Sequence, residues 1–175
     1  MKASRSSRFF TSTESISNTI TRDFADQMVR LYVSRFESAF HVLHVPSFWT
    51  EYTSYWTDPV GSPNALRFKV QLVMALSSNL YQGTDAVQIR SAVHQWVYTA
   101  QDWLSGPLKK DRLSIDALQV HCLQILARQC LSVAGDLVWI AVGTLLRTAM
   151  QMSLHRDPTR FTKIGLLYVV LALVI

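Results

Sequence analysis

Cysteine is nearly missing. Cys122 and Cys130 are the two in 175 residues, too few for a disulfide framework. Glycine is sparse and scattered, at 61, 83, 106, 135, 143 and 165, so no glycine-rich loop is present to cradle a phosphate, and no G-x-S-x-G elbow to present a serine nucleophile. Charged residues are only 17 %, against 49 % hydrophobic, a balance that excludes wholesale disorder and supplies a core. Strand-type alternation and a fixed-period repeat are also lacking. The charge-free segment IGLLYVVLALVI, at 164–175, is shorter than the roughly 20 apolar residues a spanning helix needs, so no membrane is expected. We read 164–175 as an apolar tail that packs as a buried element or marks an abnormal end. A tail anchor is the minor alternative.

The net charge of +5 is uneven: Lys2, Arg5, Arg8 and Arg22 face only Glu14 over the first 22 residues. The remainder is close to neutral, so any attraction to phosphate belongs mostly to the N-terminal arm. Residues 1–20 lack the apolar core of a secretory signal. They are Arg/Ser-rich and poor in acid, which fits a disordered arm and, less well, a mitochondrial transit peptide.

The rest reads as helix. Phe24, Met28, Leu31, Tyr32, Phe36 and Phe40 fall on one face of a first helix, with Thr21 as N-cap and Asp23 at its positive end. The segment 41–63 breaks the period with Pro46, Pro59, Gly61 and Pro63, which predicts an extended or looped connection held down by its aromatics. Ser62-Pro63 should open a second helix, with Leu66, Val70, Val73, Met74, Ser77, Leu80 and Tyr81 inward and Gly83 as its stop. A third helix should span 85–104, with Val93, Trp96, Val97, Ala100 and Trp103 inward. A fourth should start near Ser114, with Ile115, Leu118, Cys122, Ile125 and Leu126 inward. A fifth should start near Asp136, with Trp139, Val142, Leu146, Ala149 and Met150 inward, and end before Asp157 because Pro158 disfavours helix there. The expected fold is an all-α, irregular multi-helix domain of about five helices, incomplete at its C-terminus.

The tripeptide His155-Arg156-Asp157 matches the start of a kinase catalytic loop, but the chemistry around it is missing. The metal-holding Asn belongs five residues after the Asp, where Thr162 stands; no D-F-G follows, and helices occupy the place of a nucleotide lobe. His41 and His44 lack a third metal ligand at useful spacing. His121 and Cys122 are adjacent on a helix and point about 100° apart, so they do not face one ion. This predicts Cys122 in the core and His121 near the surface. Arg128, Arg147 and Arg156 with Asp136 and Asp157 suit interhelical ion pairs. We expect no enzyme, no cofactor and no metal.

Three segments carry a resemblance: HVLHVPSF (41–48), LQILARQ (123–129) and DLVWIAVGTLLRTAMQMSLHRDPTRF (136–161). They resemble the fungal-specific transcription factor domain, the regulatory middle homology region of fungal zinc-cluster transcription factors. His44, Pro46 and Phe48 match its L-H-x-P-x-F loop, and Leu123, Leu126, Ala127 and Arg128 match its L-x-L-L-A-R-like helix. Trp139, Gly143, Arg147, Ala149, Leu154, His155, Arg156, Asp157 and Pro158 match W-x-x-x-G-x-x-x-R-x-A followed by G-L-H-R-D-P. Ser153 stands where the family usually has glycine. The family's DNA-binding module uses six cysteines, and the two of this sequence both lie inside the matched region.

The resemblance implies a partial regulatory domain over 21–163 of a nuclear transcription regulator controlling a fungal metabolic or secondary-metabolite gene cluster. Its partners would be promoter DNA, reached directly or through another protein, and a homo- or heterodimer mate. The alternative is a helical module that binds a ligand or partner without a direct transcriptional role. On the last helix Trp139, Gly143 and Arg147 share a face, where Gly143 would admit the close approach of another helix and His155–Pro158 would cap the end.

Overall fold

The computed structural model describes residues 20–81, 86–106, 112–133 and 137–154. Among them are six helices and no strand: α1 (Arg22–Tyr32), α2 (Val45–Thr57), α3 (Asn64–Ser78), α4 (Ala86–Ser105), α5 (Ile115–Leu131) and α6 (Val138–Gln151). The all-α expectation holds. The arm at 1–19 and the tail at 164–175 lie outside the described residues.

α1 starts as its sequence predicts. The Thr21 hydroxyl accepts from the Phe24 N–H, and Asp23 sits in the first turn. Past Tyr32 the chain widens into a π-helical segment, Val33–Glu37, then one last turn, Ser38–Phe40. The Glu37 carboxylate closes this region: it accepts from the Tyr32 hydroxyl at 2.9 Å and the Leu43 N–H at 3.0 Å. It is buried, and burial raises its pKa, against the lowering effect of those two donors. His41, at φ 51°, turns the chain through a left-handed residue towards α2.

The expected loop at 41–63 is instead largely α2. Pro46 stands in the first turn, where no intrahelical N–H is required. Phe48, Tyr52 and Tyr55 then recur at helical spacing, and all three are buried. The proline that looked like a breaker is a starter. The real break is later: Asp58 caps the turn by accepting from the Gly61 N–H at 2.9 Å, and α3 opens at Asn64 with Pro63 as N-cap, one residue beyond the predicted Ser62 cap.

α3 is the hub. It packs against α1, α2, α4 and α5, and every residue from Phe68 to Ser77 is buried. It ends at Ser78, so Leu80 is exposed and Tyr81 half-buried; Gly83 lies outside the described residues. α4 carries Val93, Trp96, Val97 and Ala100 into the core as expected, with Trp103 half-buried. α5 starts at the predicted Ser114, whose hydroxyl accepts from the Ala117 N–H at 3.2 Å. α6 packs on α5.

Two predicted faces are corrected. His121 is buried, 8 % exposed, not superficial, because α5 is enclosed on both flanks. The inner stripe of α6 is Ala141, Val142, Leu145 and Ala149; Trp139 and Met150 are exposed at 76 % and 56 %. Bulk had suggested that the tryptophan and methionine were core. The small residues of α6 let it lie close on α5, and the large ones face out.

Candidate functional site

The family-motif residues fall into three places. His44 is the N-cap of α2, its Nδ1 2.7 Å from the Ser47 hydroxyl. Pro46 follows in the first turn, and Phe48 anchors the helix in the core at 2 % exposure. This loop signature is therefore a helix-initiation signal. His41 sits in the left-handed turn before it, and among the described residues no group of three His, Cys, Asp or Glu side chains could hold a metal ion.

The second place is α5. His121 and Arg128 lie two turns apart on this helix, and both are buried. Burial, and then the Arg128 charge, lowers the His121 pKa to about 4, so the imidazole is neutral at physiological pH. The Arg128 Nε is buried with no hydrogen-bond partner among the described residues. Cys122 is fully buried, and desolvation pushes its thiol up to about 12. Cys130 is exposed and its pKa is also raised by desolvation. Neither thiol has the lowered pKa of a nucleophile. The arrangement is one of packing, with a neutral histidine and an inert thiol.

The third place is α6. Trp139 and Arg147 are exposed and Gly143 is half-buried. A Cβ placed on Gly143 would meet only the Arg147 Nη2, at 3.6 Å. The expected close crossing of another helix at Gly143 is thus not formed among the described residues. With Leu137 at 47 % and Ile140 at 60 % exposure, the outward side of α6 is an apolar surface around one arginine.

The end of α6 is also clear. Ser153 adopts φ 62° and donates to the Met150 carbonyl at 2.9 Å, while the Leu154 N–H reaches the Ala149 carbonyl at 3.0 Å. This is a Schellman stop built on a left-handed residue, the conformation that favours glycine. It accounts physically for glycine being usual at this position, and it stops α6 without help from Pro158. His155, Arg156, Asp157 and Pro158 lie outside the described residues, as do Asp136 and its suggested ion pairs.

Sequence reasoning missed the polar cluster around Lys69. Its Nζ lies 2.6 Å from Glu51 Oε2 and 2.8 Å from Asp116 Oδ1. Gln119 approaches the same ammonium at 3.5 Å and donates to the Val42 carbonyl at 3.1 Å. One buried ammonium thus ties α2 and α5 to α3. The signal was a Lys within FKVQLVMAL, the most apolar stretch of the hub helix. Tyr52 makes a second clamp, donating to Asp26 Oδ1 at 2.6 Å, and burial followed by that bond raises its pKa.

What the fold and these places define is an all-helical module in which Lys69 and Tyr52 clamp helices to one another. The sequence model of the fungal specific transcription factor domain matches residues 29–164, and the chain belongs to that family. It is 40 % identical over 149 residues to Transcription factor asR3 of Sarocladium schorii, covering 83 % of this chain and 17 % of that protein. It is 36 % identical over 163 residues to Transcription factor opdR of Penicillium oxalicum, covering 92 % and 20 %. It is 26 % identical over 170 residues to the Fusarisetin A cluster transcription factor fsa6 of a Fusarium species, covering 85 % and 21 %. The chain spans about a fifth of the length of these relatives. No solved structure shows a significant match. No described helix is long and apolar enough to cross a membrane.

Proposed function

We propose that residues 21–163 serve as the regulatory domain of a transcription regulator acting in the nucleus on one metabolic gene cluster, of the secondary-metabolite kind. The match over residues 29–164 carries this reading, and relatives named for metabolite clusters support the pathway class. The role is not catalytic. Two buried or desolvated thiols and a neutral buried histidine favour packing over chemistry. The regulator's partners are promoter DNA, reached directly or through another protein, and a homo- or heterodimer mate. Deleting the gene should abolish transcripts of one biosynthetic cluster, and a tagged chain should accumulate in nuclei. Unchanged transcripts across all such clusters would sink the proposal. A mobility-shift assay of these 175 residues with promoter DNA separates the two routes: a salt-sensitive, sequence-specific shift assigns direct binding to this segment, and no shift assigns it elsewhere.

A second reading, a ligand-binding module, is favoured by one feature: a partly open cavity of about 270 Å³ lined by Tyr55, Trp56, Gln71, Met74 and Trp96.

A further inference from the structure

α6 is apolar on two sides. Ala141, Val142, Leu145 and Ala149 are buried, and the helix packs on α5. At roughly 100° per residue the opposite side gathers Trp139, Ile140, Gly143, Arg147 and Met150 within an arc of similar width. Its three large apolar members are each more than half exposed. From Trp139 to Met150 the stripe runs about 16 Å, or about three turns. Soluble chains seldom gather large apolar side chains in one exposed place unless something docks there, and a helix apolar all round belongs inside an assembly.

Gly143 notches the middle of the stripe. A Cβ there would meet only the Arg147 Nη2, so among the described residues nothing fills the notch. Arg147 is the one charged side chain of α6. It is exposed and makes no ion pair among the described residues. Trp, Met and Arg are side chains that interfaces concentrate. The single positive charge decides between occupants. A second copy docking by the same face adds a second uncompensated arginine to the crossing. The segment 164–175 brings apolar side chains and no charged one. Either would leave Arg147 desolvated and unpaired, which is unfavourable. The face fits apolar side chains and a carboxylate presented together.

We propose that the outward face of α6 docks an amphipathic helix of a partner protein, one whose apolar stripe carries an acidic residue to pair with Arg147. Trp139 and Met150 pack on the two ends of that helix, and Gly143 lets its backbone come close between them. That the partner links the chain to transcription rests on the reading given under Proposed function; the docking itself does not.

The test is a titration of the full 175-residue chain, followed by fluorescence anisotropy of two labelled helical peptides of about 18 residues. Both carry leucines at alternating spacings of three and four; one has glutamates beside that stripe, the other lysines. The glutamate peptide should bind saturably, and the lysine peptide at least about fivefold more weakly. Arg147→Gln should reduce that preference to less than about twofold. Trp139→Gln should weaken the glutamate peptide about tenfold. Gly143→Ala should weaken it about threefold while raising Tm, a pairing of signs that a purely structural glycine would not give. Circular dichroism checks that the variants fold, and Arg147→Gln, at an exposed position, carries the test if another does not. No saturable binding at millimolar concentration, or equal affinity for the two peptides, overturns the proposal. So does a dimer in sedimentation that Trp139→Gln dissolves, which assigns the face to a second copy. Binding that appears only after Leu167→Asp and Leu171→Asp also overturns it, and assigns the face to 164–175. Docking lost in Trp139→Gln with cluster transcripts unchanged in cells strikes the transcriptional reading instead and leaves the docking face standing.

Discussion

The α3–α5 layer and α6 invert the simple amphipathic rule in opposite directions. The layer keeps polar groups inside: Lys69, Gln71, His121, Gln124 and Arg128 are all buried. α6 keeps large apolar groups outside: Trp139, Ile140 and Met150 are more than half exposed. Burial of Lys69 in the first region depends on its two carboxylate partners, and exposure in the second depends on what α6 touches. A residue's type alone gives neither. The layer should respond strongly when a partner is removed, and α6 should respond weakly when bulk is removed.

The largest effect is expected at the Lys69 cluster, where the two sides are unequal. The Lys69 side chain is 3 % exposed, while those of Glu51 and Asp116 are 40 % and 54 % exposed. Removing both carboxylates with Glu51→Gln and Asp116→Asn strands a buried ammonium and should cost about 3 kcal/mol. Lys69→Met leaves two carboxylates that water can solvate and should cost roughly 1 kcal/mol. Urea denaturation of both variants measures this. Equal losses would mean that the cluster is wet and the layer no different from a surface.

His121 gives a pH-dependent version of the same contrast. Its pKa is depressed from 6.5 to about 4 in the fold, so the neutral ring contributes stability that is fully present above pH 6.5. That contribution is lost as pH falls towards 4, because the unfolded chain takes up the proton first. The difference between wild type and His121→Gln should grow by about 3 kcal/mol over that window, in favour of the variant at low pH. Parallel pH–stability curves would place His121 in solvent.

A smaller effect lies at the end of α6. Ser153→Gly relieves a left-handed φ of 62° at a non-glycine residue and should stabilise the chain by roughly 1 kcal/mol, read as a raised Tm. A lowered Tm would show that the serine side chain contributes more than its strain costs.

What was legible in the sequence follows the same division. Helix caps with a local chemical cause were readable: Thr21 and Ser114 accept the N–H groups their positions predicted. The all-α class was readable from periodicity, since an apolar stripe depends only on spacing. α2 was misread because Pro46 has two meanings, breaker inside a helix and starter at its first turn; the spacing of Phe48, Tyr52 and Tyr55 was the deciding signal. The burial of His121, the partners of Lys69 and the outward turn of Trp139 were not readable. Each depends on contacts across more than 15 positions of chain or on which side of a helix a neighbour occupies, and no local pattern encodes that.

The smallest effects test the exposed side of α6. A Cβ on Gly143 meets nothing closer than the Arg147 Nη2 at 3.6 Å, so Gly143→Ala loses no contact and gains helix propensity. It should stabilise the chain by about 0.5–1 kcal/mol. Trp139→Gln removes a ring that is 76 % exposed and should change stability by less than about 0.5 kcal/mol. Both are measured by thermal and urea unfolding of the same chain. A loss above about 1 kcal/mol in either would mean that Trp139 and Gly143 are covered in the folded protein. The Trp-Gly-Arg face would then be a buried crossing, as its four-residue spacing first suggested, and the contrast between α6 and the α3–α5 layer would fall with it.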